Sequence, residues 1–196
     1  MTLTQETLMS QFAAQLQSVG SRFTLVSKLS EVRDYVDKLA EVVQAKRIAV
    51  SGHRLSSLLF PPGSPLPRFE VASQANMGRE DFFSMLKIVE IGISVVDLAV
   101  AETGTLVTTT WDESERLVTA LPKIHVALVS RSRLVPSLRE AETYVSGVLS
   151  RGGGGVAVSL ISASSRTADI GDMVILGVHG PRDLHVLLVD EELPGD

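Results

Sequence analysis

VEIGISVVDLAVAETGTLVTTT, residues 89–110, is the densest apolar stretch of the chain and decides its fold. Two runs of branched aliphatic residues flank a polar knot, Ala101-Glu102-Thr103-Gly104-Thr105. Apolar residues spaced three and four apart would argue a helix. Short continuous runs bounded by turn residues argue buried strands. The spacing predicts a strand over 90–94, a compact turn or short helix over 95–103, and a strand over 104–110.

Similar runs lie on both sides. IAVS (48–51) and FEVAS (69–73) read as strands upstream, and HVALVS (125–130), VAVSLIS (156–162) and LHVLLVD (184–190) downstream. Helical spacing separates them. Leu8, Phe12, Leu16 and Val19 mark a helix over 4–18 that Gly20 can end. Val32, Tyr35, Val36, Leu39 and Val43 mark one from Ser30, its expected cap, to Gln44. Others are expected over 78–87 and from Pro136 to Leu149. PPGSPLPR (61–68), with four prolines in eight residues, must be a loop, and RGGGG (151–155) a flexible connection. Helices alternating with short apolar strands predict an α/β class with an open layered sheet. With no repeat and no second core, one domain over 1–196 is expected: a helical segment at about 1–45, then an α/β core over about 46–196.

Aromatics are only 5% of the chain, so Val, Leu, Ile and Ala must build the core, as in a buried parallel sheet. A net charge of −5, with scattered Lys and Arg, argues against a nucleic-acid surface. The chain has no cysteine, which removes disulfides, thiolate catalysis and any cluster or zinc site that needs Cys ligands. No run approaches the roughly 20 apolar residues of a spanning helix. The N-terminal stretch lacks the charged start and apolar run of a secretory signal. A cytoplasmic location is expected.

Three constellations carry candidate chemistry. Asp97 precedes Glu102, Thr103, Gly104 and Thr105, where a carboxylate, two hydroxyls and a permissive glycine lie between two strands. The bland alternative, a turn carboxylate satisfied by nearby amides, stays open. Ser164-Ser165-Arg166-Thr167-Ala168-Asp169 follows a strand and is expected to open a helix, whose free N–H groups and arginine could grip an anion. Plain helix capping is the alternative. Gly177-Val178-His179-Gly180-Pro181 shapes a loop around a possible acid, base or donor, His179. No HExxH or helical histidine pair suggests a metal, and none is expected to be held tightly. GxSxG, GxxxxGK[ST] and GxGxxG are all missing.

Taken in order, AETGTLV (101–107), LPKIHVALV (121–129), SRTADI (165–170) and GVHGP (177–181) resemble the LUD-domain family, most closely its lactate-utilisation protein C branch. The likeness covers most of the second half and is diffuse over the first. One departure is Ala163-Ser164 where the family has Gly-Pro. The resemblance implies a fold like that of the ribose-phosphate isomerase, glucosamine-phosphate deaminase and CoA-transferase group. It also implies a part in oxidising lactate to pyruvate beside iron–sulfur partner proteins. Those partners would hold the clusters, and this chain would bind no cofactor tightly.

The preferred expectation is an accessory subunit that binds an organic acid or phosphate-bearing anion through Asp97, Thr103, Gly104, Thr105, Arg166, Thr167 and Asp169, with Glu102 and His179 on the rim as candidate catalytic groups. The alternative is a stand-alone acyl-transferring or sugar-phosphate-isomerising enzyme that uses Glu102.

Overall fold

A computed structural model describes residues 4–61, 68–74, 76–151, 155–168, 174–177 and 179–193. In chain order the elements are α1 (Gln5–Ser18), β1 (Arg22–Val26), α2 (Leu29–Val43), β2 (Arg47–Val50), α3 (His53–Leu59), β3 (Glu70–Ala72), α4 (Arg79–Leu86), β4 (Ile91–Val95), β5 (Leu98–Val100), β6 (Thr105–Thr110), α5 (Glu113–Ala120), β7 (Ile124–Ser130), β8 (Leu134–Val135), α6 (Leu138–Arg151), β9 (Ala157–Ile161), β10 (Arg166–Ala168), β11 (Val174–Leu176) and β12 (Asp183–Val189).

Six strands form one sheet in the order β1-β12-β7-β4-β2-β3, and every neighbouring pair is parallel. Side chains of a strand alternate between faces. Ile48, Val50, Ile91, Ile93, Val126, Leu128, Leu187 and Val189 therefore share one face, packed against Val32, Val36 and Leu39 of α2 and Leu55 and Leu59 of α3. The opposite face is covered in two parts. Ala49 and Ala72 meet Phe82 and Leu86 of α4 and Val118 of α5. Ala127, Val129, Val186 and Leu188 meet Leu8, Phe12 and Leu16 of α1 and a second sheet, through Ala99 and Leu106.

That second sheet runs β8-β5-β6-β9, with β6 antiparallel to both β5 and β9. Its outer face carries α6 on Leu98, Val100 and Val107. The α/β layered architecture read from the sequence is the one observed.

Several local readings need correction. The segment 95–103 is not a helix: it contributes β5 and the turn into β6. The helical reading of 1–45 omits β1, an edge strand whose pattern is half exposed and whose partner, β12, lies far along the chain. Ser30 lies inside α2, and the carboxylate of Glu31 instead accepts from the Ser27 N–H at 2.9 Å. No helix opens at Ser165, because Arg166–Ala168 pairs antiparallel with Val174–Leu176. Helices α3 and α5 are not among the helices expected from the sequence. The proline loop at 62–67 and the glycines at 152–154 lie outside the described residues. Among the described residues no helix is long and apolar enough to cross a membrane.

Two histidines sit inside the main sheet. His125 on β7 is fully buried and shares a 2.8 Å hydrogen bond with Ser94, while its Nδ1 has no partner among the described residues. His185 on β12 is bonded to the Tyr35 hydroxyl at 2.9 Å. Burial pushes both down to about 4; the neighbouring His185 adds to the effect on His125, and Arg22 to that on His185. In the unfolded chain a histidine titrates near 6.5. Between about pH 6.5 and 4 the unfolded chain therefore takes up protons that the folded chain refuses, and stability falls with pH in that window.

Denaturant unfolding should show stability declining from pH 7 to pH 5 by up to ~1.4 kcal/mol per pH unit for each histidine. His185→Gln should flatten that slope, and an unchanged slope would contradict the assignment. Gly92 on β4 packs against α5: an added Cβ would overlap the Val118 carbonyl oxygen and lie 2.8 Å from Cγ of Pro122. Gly92→Ala should cost about 1–3 kcal/mol, the range for overpacking, whereas Val42→Ala on the exposed face of α2 should stay within about 0.5 kcal/mol.

Candidate functional site

The second and third constellations meet around one residue. The Ser165 N–H donates to the Pro181 carbonyl at 2.8 Å, and the Ser165 carbonyl accepts from the Gly177 N–H at 2.9 Å. Its hydroxyl accepts from the His179 N–H at 3.3 Å. Gly177 turns the chain at φ +77°, a conformation side chains rarely adopt. Gly180 lies so close that an added Cβ would sit 3.2 Å from Cβ of Ser165. The β10–β11 hairpin and the GVHGP loop are thus one hydrogen-bonded unit, a contact that sequence spacing does not reveal.

This unit forms one wall of an open cleft of about 530 Å³, with α5 and β9 as the others. Arg166 and His179 both line it. Arg116 and Thr119 come from α5, and Ser159 and Ser162 from β9 and the turn after it. The titratable side chains among the described lining residues are two arginines and a histidine, with no carboxylate. Arg166 reaches over Gly20, where an added Cβ would lie 2.6 Å from its Nη2, and donates to the Val19 carbonyl. A guanidinium has five donors, so others stay available to a ligand.

The cleft lies at the amino ends of β7 and β12, where the Lys123 carbonyl accepts from the Arg182 N–H at 2.7 Å. Arg166 follows the strand over 156–162, and in a parallel sheet that position would lie at the carboxyl edge, the usual ligand position. The structure corrects this, because β9 belongs to the second, antiparallel sheet.

The first constellation contributes differently. Glu102 is exposed, is not among the cleft residues, and its Oε1 accepts from the Leu138 N–H at 2.7 Å, capping α6. Asp97 clamps β6: its Oδ2 accepts from the Thr109 N–H at 2.6 Å and from the Thr109 hydroxyl at 3.0 Å. Burial and the Asp97 charge push the nearby Tyr144 hydroxyl up. Gly104 makes the tight turn at φ +67°, pressed against Gln15 of α1.

Thr103 donates to the Thr105 hydroxyl at 2.8 Å, and Thr105 and Ser162 are bonded at 2.9 Å. A chain of hydroxyls therefore runs from this turn to the cleft. Thr167 lies in β10, paired with Ile175. Asp169 lies outside the described residues.

The sequence reading does not contain Arg116 and Thr119. A signal existed: Asp112 begins an acid-rich first turn, accepts from the Ser114 N–H at 2.7 Å, and is held below the usual carboxylate range by its hydrogen bonds to Ser114. Among the described residues no group of three His, Cys, Asp or Glu side chains could hold a metal.

Residues 9–189 match the family model described as the LUD domain. The chain belongs to the LUD-domain family. A lactate utilization protein C of Shouchella clausii (strain KSM-K16) is 29% identical over 133 residues, 68% of this chain and 58% of that protein. One from Exiguobacterium sp. (strain ATCC BAA-1283 / AT1b) is 35% identical over 104 residues, 52% of this chain and 45% of that protein. A lactate utilization protein B of Geobacillus kaustophilus (strain HTA426) is 33% identical over 122 residues, 62% of this chain but 24% of that longer protein. The matched stretches span about half the length of the protein C relatives. The crystal structure of a DUF162 family protein from Deinococcus radiodurans shares the fold, with a TM-score of 0.66 at 22% identity, covering 96% of this chain and 99% of that one. This LUD domain thus presents a cationic, hydroxyl-lined cleft with Glu102 outside it.

If Glu102 serves α6, Glu102→Ala should lower stability by about 1 kcal/mol, as lost caps do. Glu102→Gln keeps an acceptor and should lose less. Neither should change anion binding in the cleft, as calorimetry would show.

Proposed function

We propose that this chain is an accessory subunit of a lactate-oxidising system. In that role the cleft binds an organic acid or phosphate-bearing anion, while iron–sulfur partner proteins carry the electrons from lactate. The cleft lining carries this reading: Arg116, Arg166 and His179 line a hydroxyl-rich space with no carboxylate among its described lining residues, Arg116 pairing outside it with Glu113. Arginine suits planar, bidentate recognition of carboxylate and phosphate. The names of the related lactate utilization proteins C and B supply the context. A chain without cysteine offers no thiolate to a cluster, so the redox centres belong to partners.

The Glu102-centred enzyme is the weaker alternative. Its carboxylate would have to release the α6 amide before it could attack or take a proton.

Isothermal calorimetry with phosphate, pyruvate and lactate tests the reading. Arg166→Ala and Arg166→Lys should each lose about 1.5–3 kcal/mol of anion binding, the range for hydrogen bonds to charged groups, because lysine cannot reproduce the planar fork. Undiminished binding in both would reject the site. Lactate-dependent reduction of an acceptor dye by the isolated chain would reject the accessory role.

A further inference from the structure

We propose that the outer edge of β9 is a docking strand. An extended acidic peptide of a partner protein adds to it along the cleft, pairing backbone to backbone, with carboxylates near its ends meeting Arg116 and Arg166. The proposal rests on the reading of the cleft as an anion site and names what presents the anion.

Three observations carry it. First, β9 pairs with β6 and ends its sheet; among the described residues no strand lies on its other side. Second, the last three residues of β9, Ser159, Leu160 and Ile161, all line the cleft without a gap, and Ser162 and Ala163 continue the lining beyond it. Alternate side chains of a strand point to opposite faces, so an unbroken run means that the groove follows the strand's edge. Third, VAVSLIS (156–162) has none of the charges or prolines by which proteins blunt unpaired edges, and Leu160 within it is 61% exposed. Such an edge is a template for strand addition, with main-chain bonds giving affinity and flanking side chains giving selectivity.

Charge selects the occupant. Arg116 also lines a smaller recess with Ala157, at the start of β9, where Asp112 and Glu113 line it too, whereas Arg166 follows the end of β9 with no carboxylate among the described lining residues. Five strand residues span roughly 16 Å, so a segment of similar length reaches from one arginine to the other. Arg116 already faces Glu113 at 3.4 Å, but both are half-exposed, and such a pair is weak enough for an incoming carboxylate to replace. A second copy of this chain would set arginines against arginines along the same groove, which like-charge repulsion disfavours. A three-carbon acid would fill only a small part of about 530 Å³.

The test is fluorescence anisotropy of the full chain with a labelled peptide of alternating valine and threonine capped at both ends by glutamate. One control has lysine ends; the other keeps glutamate but carries N-methyl groups on alternate amides. The glutamate peptide should bind at least ~10-fold more tightly than either control, and Arg116→Ala and Arg166→Ala should each weaken it by about 10-fold, the ratio that one charge-assisted bond supplies, with the melting temperature unchanged. Equal binding of the N-methylated peptide would overturn strand addition, as would light scattering that shows β9 sealed in a dimer which Leu160→Arg dissociates. If phosphate or lactate binds by calorimetry while the peptide does not, this proposal falls and the small-anion reading stands. If neither binds, both fall.

Discussion

Six parallel strands in one sheet leave neither face for solvent. Every covering layer of this protein answers that demand. Helices α2 and α3 close one side over the alternating Ile, Val and Leu of β2, β4, β7 and β12. The other side is covered in two parts, α4 and α5 over one half and α1 with a whole second sheet over the rest. The second sheet must then bury its own outer face, which it does under α6.

The cleft is a by-product of that division. Where α5 ends and β9 begins to shield the sheet, the two covers do not meet, and the gap opens at the amino ends of β7 and β12. The β10–β11 hairpin and the GVHGP loop close its end through the three backbone and hydroxyl bonds of Ser165. These elements thus bring Arg166 and His179 to the lining of one cleft although twelve residues lie between them in the chain. By contrast, the AETGT turn is spent on construction: Glu102 caps α6, Gly104 permits the turn, and only the hydroxyl chain from Thr103 through Thr105 to Ser162 reaches the cleft.

Elements with strong local signals were legible in the sequence. The continuous apolar runs of β7 and β12, buried on both faces, and the apolar stripes of α1, α2 and α6 read correctly because burial itself demands those patterns. The failures share a cause. Strand β1 is a half-exposed edge, and β5 and β10 have three residues each, so their assignment rests on partners rather than on pattern. Ser-Arg-Thr at 165–167 suggests a helix start because these residues cap helices as readily as they turn hairpins. Arg116 carries no local signal of its own, because a charged residue on a short amphipathic helix looks like any solvated face.

The sequence by itself determined the α/β class, the aliphatic core, the lack of any thiolate ligand and the short motifs that mark the family. These follow from residue type and from spacing over a few positions, where local physics is sufficient. Only the tertiary structure decided that β9 leaves the parallel sheet for an antiparallel one, that Arg166 and His179 share a cleft at the amino rather than the carboxyl edge, and that Glu102 faces a helix end. Each of these depends on contacts between segments tens of residues apart, whose pairing is fixed by which faces must be buried together and not by any pattern within one segment.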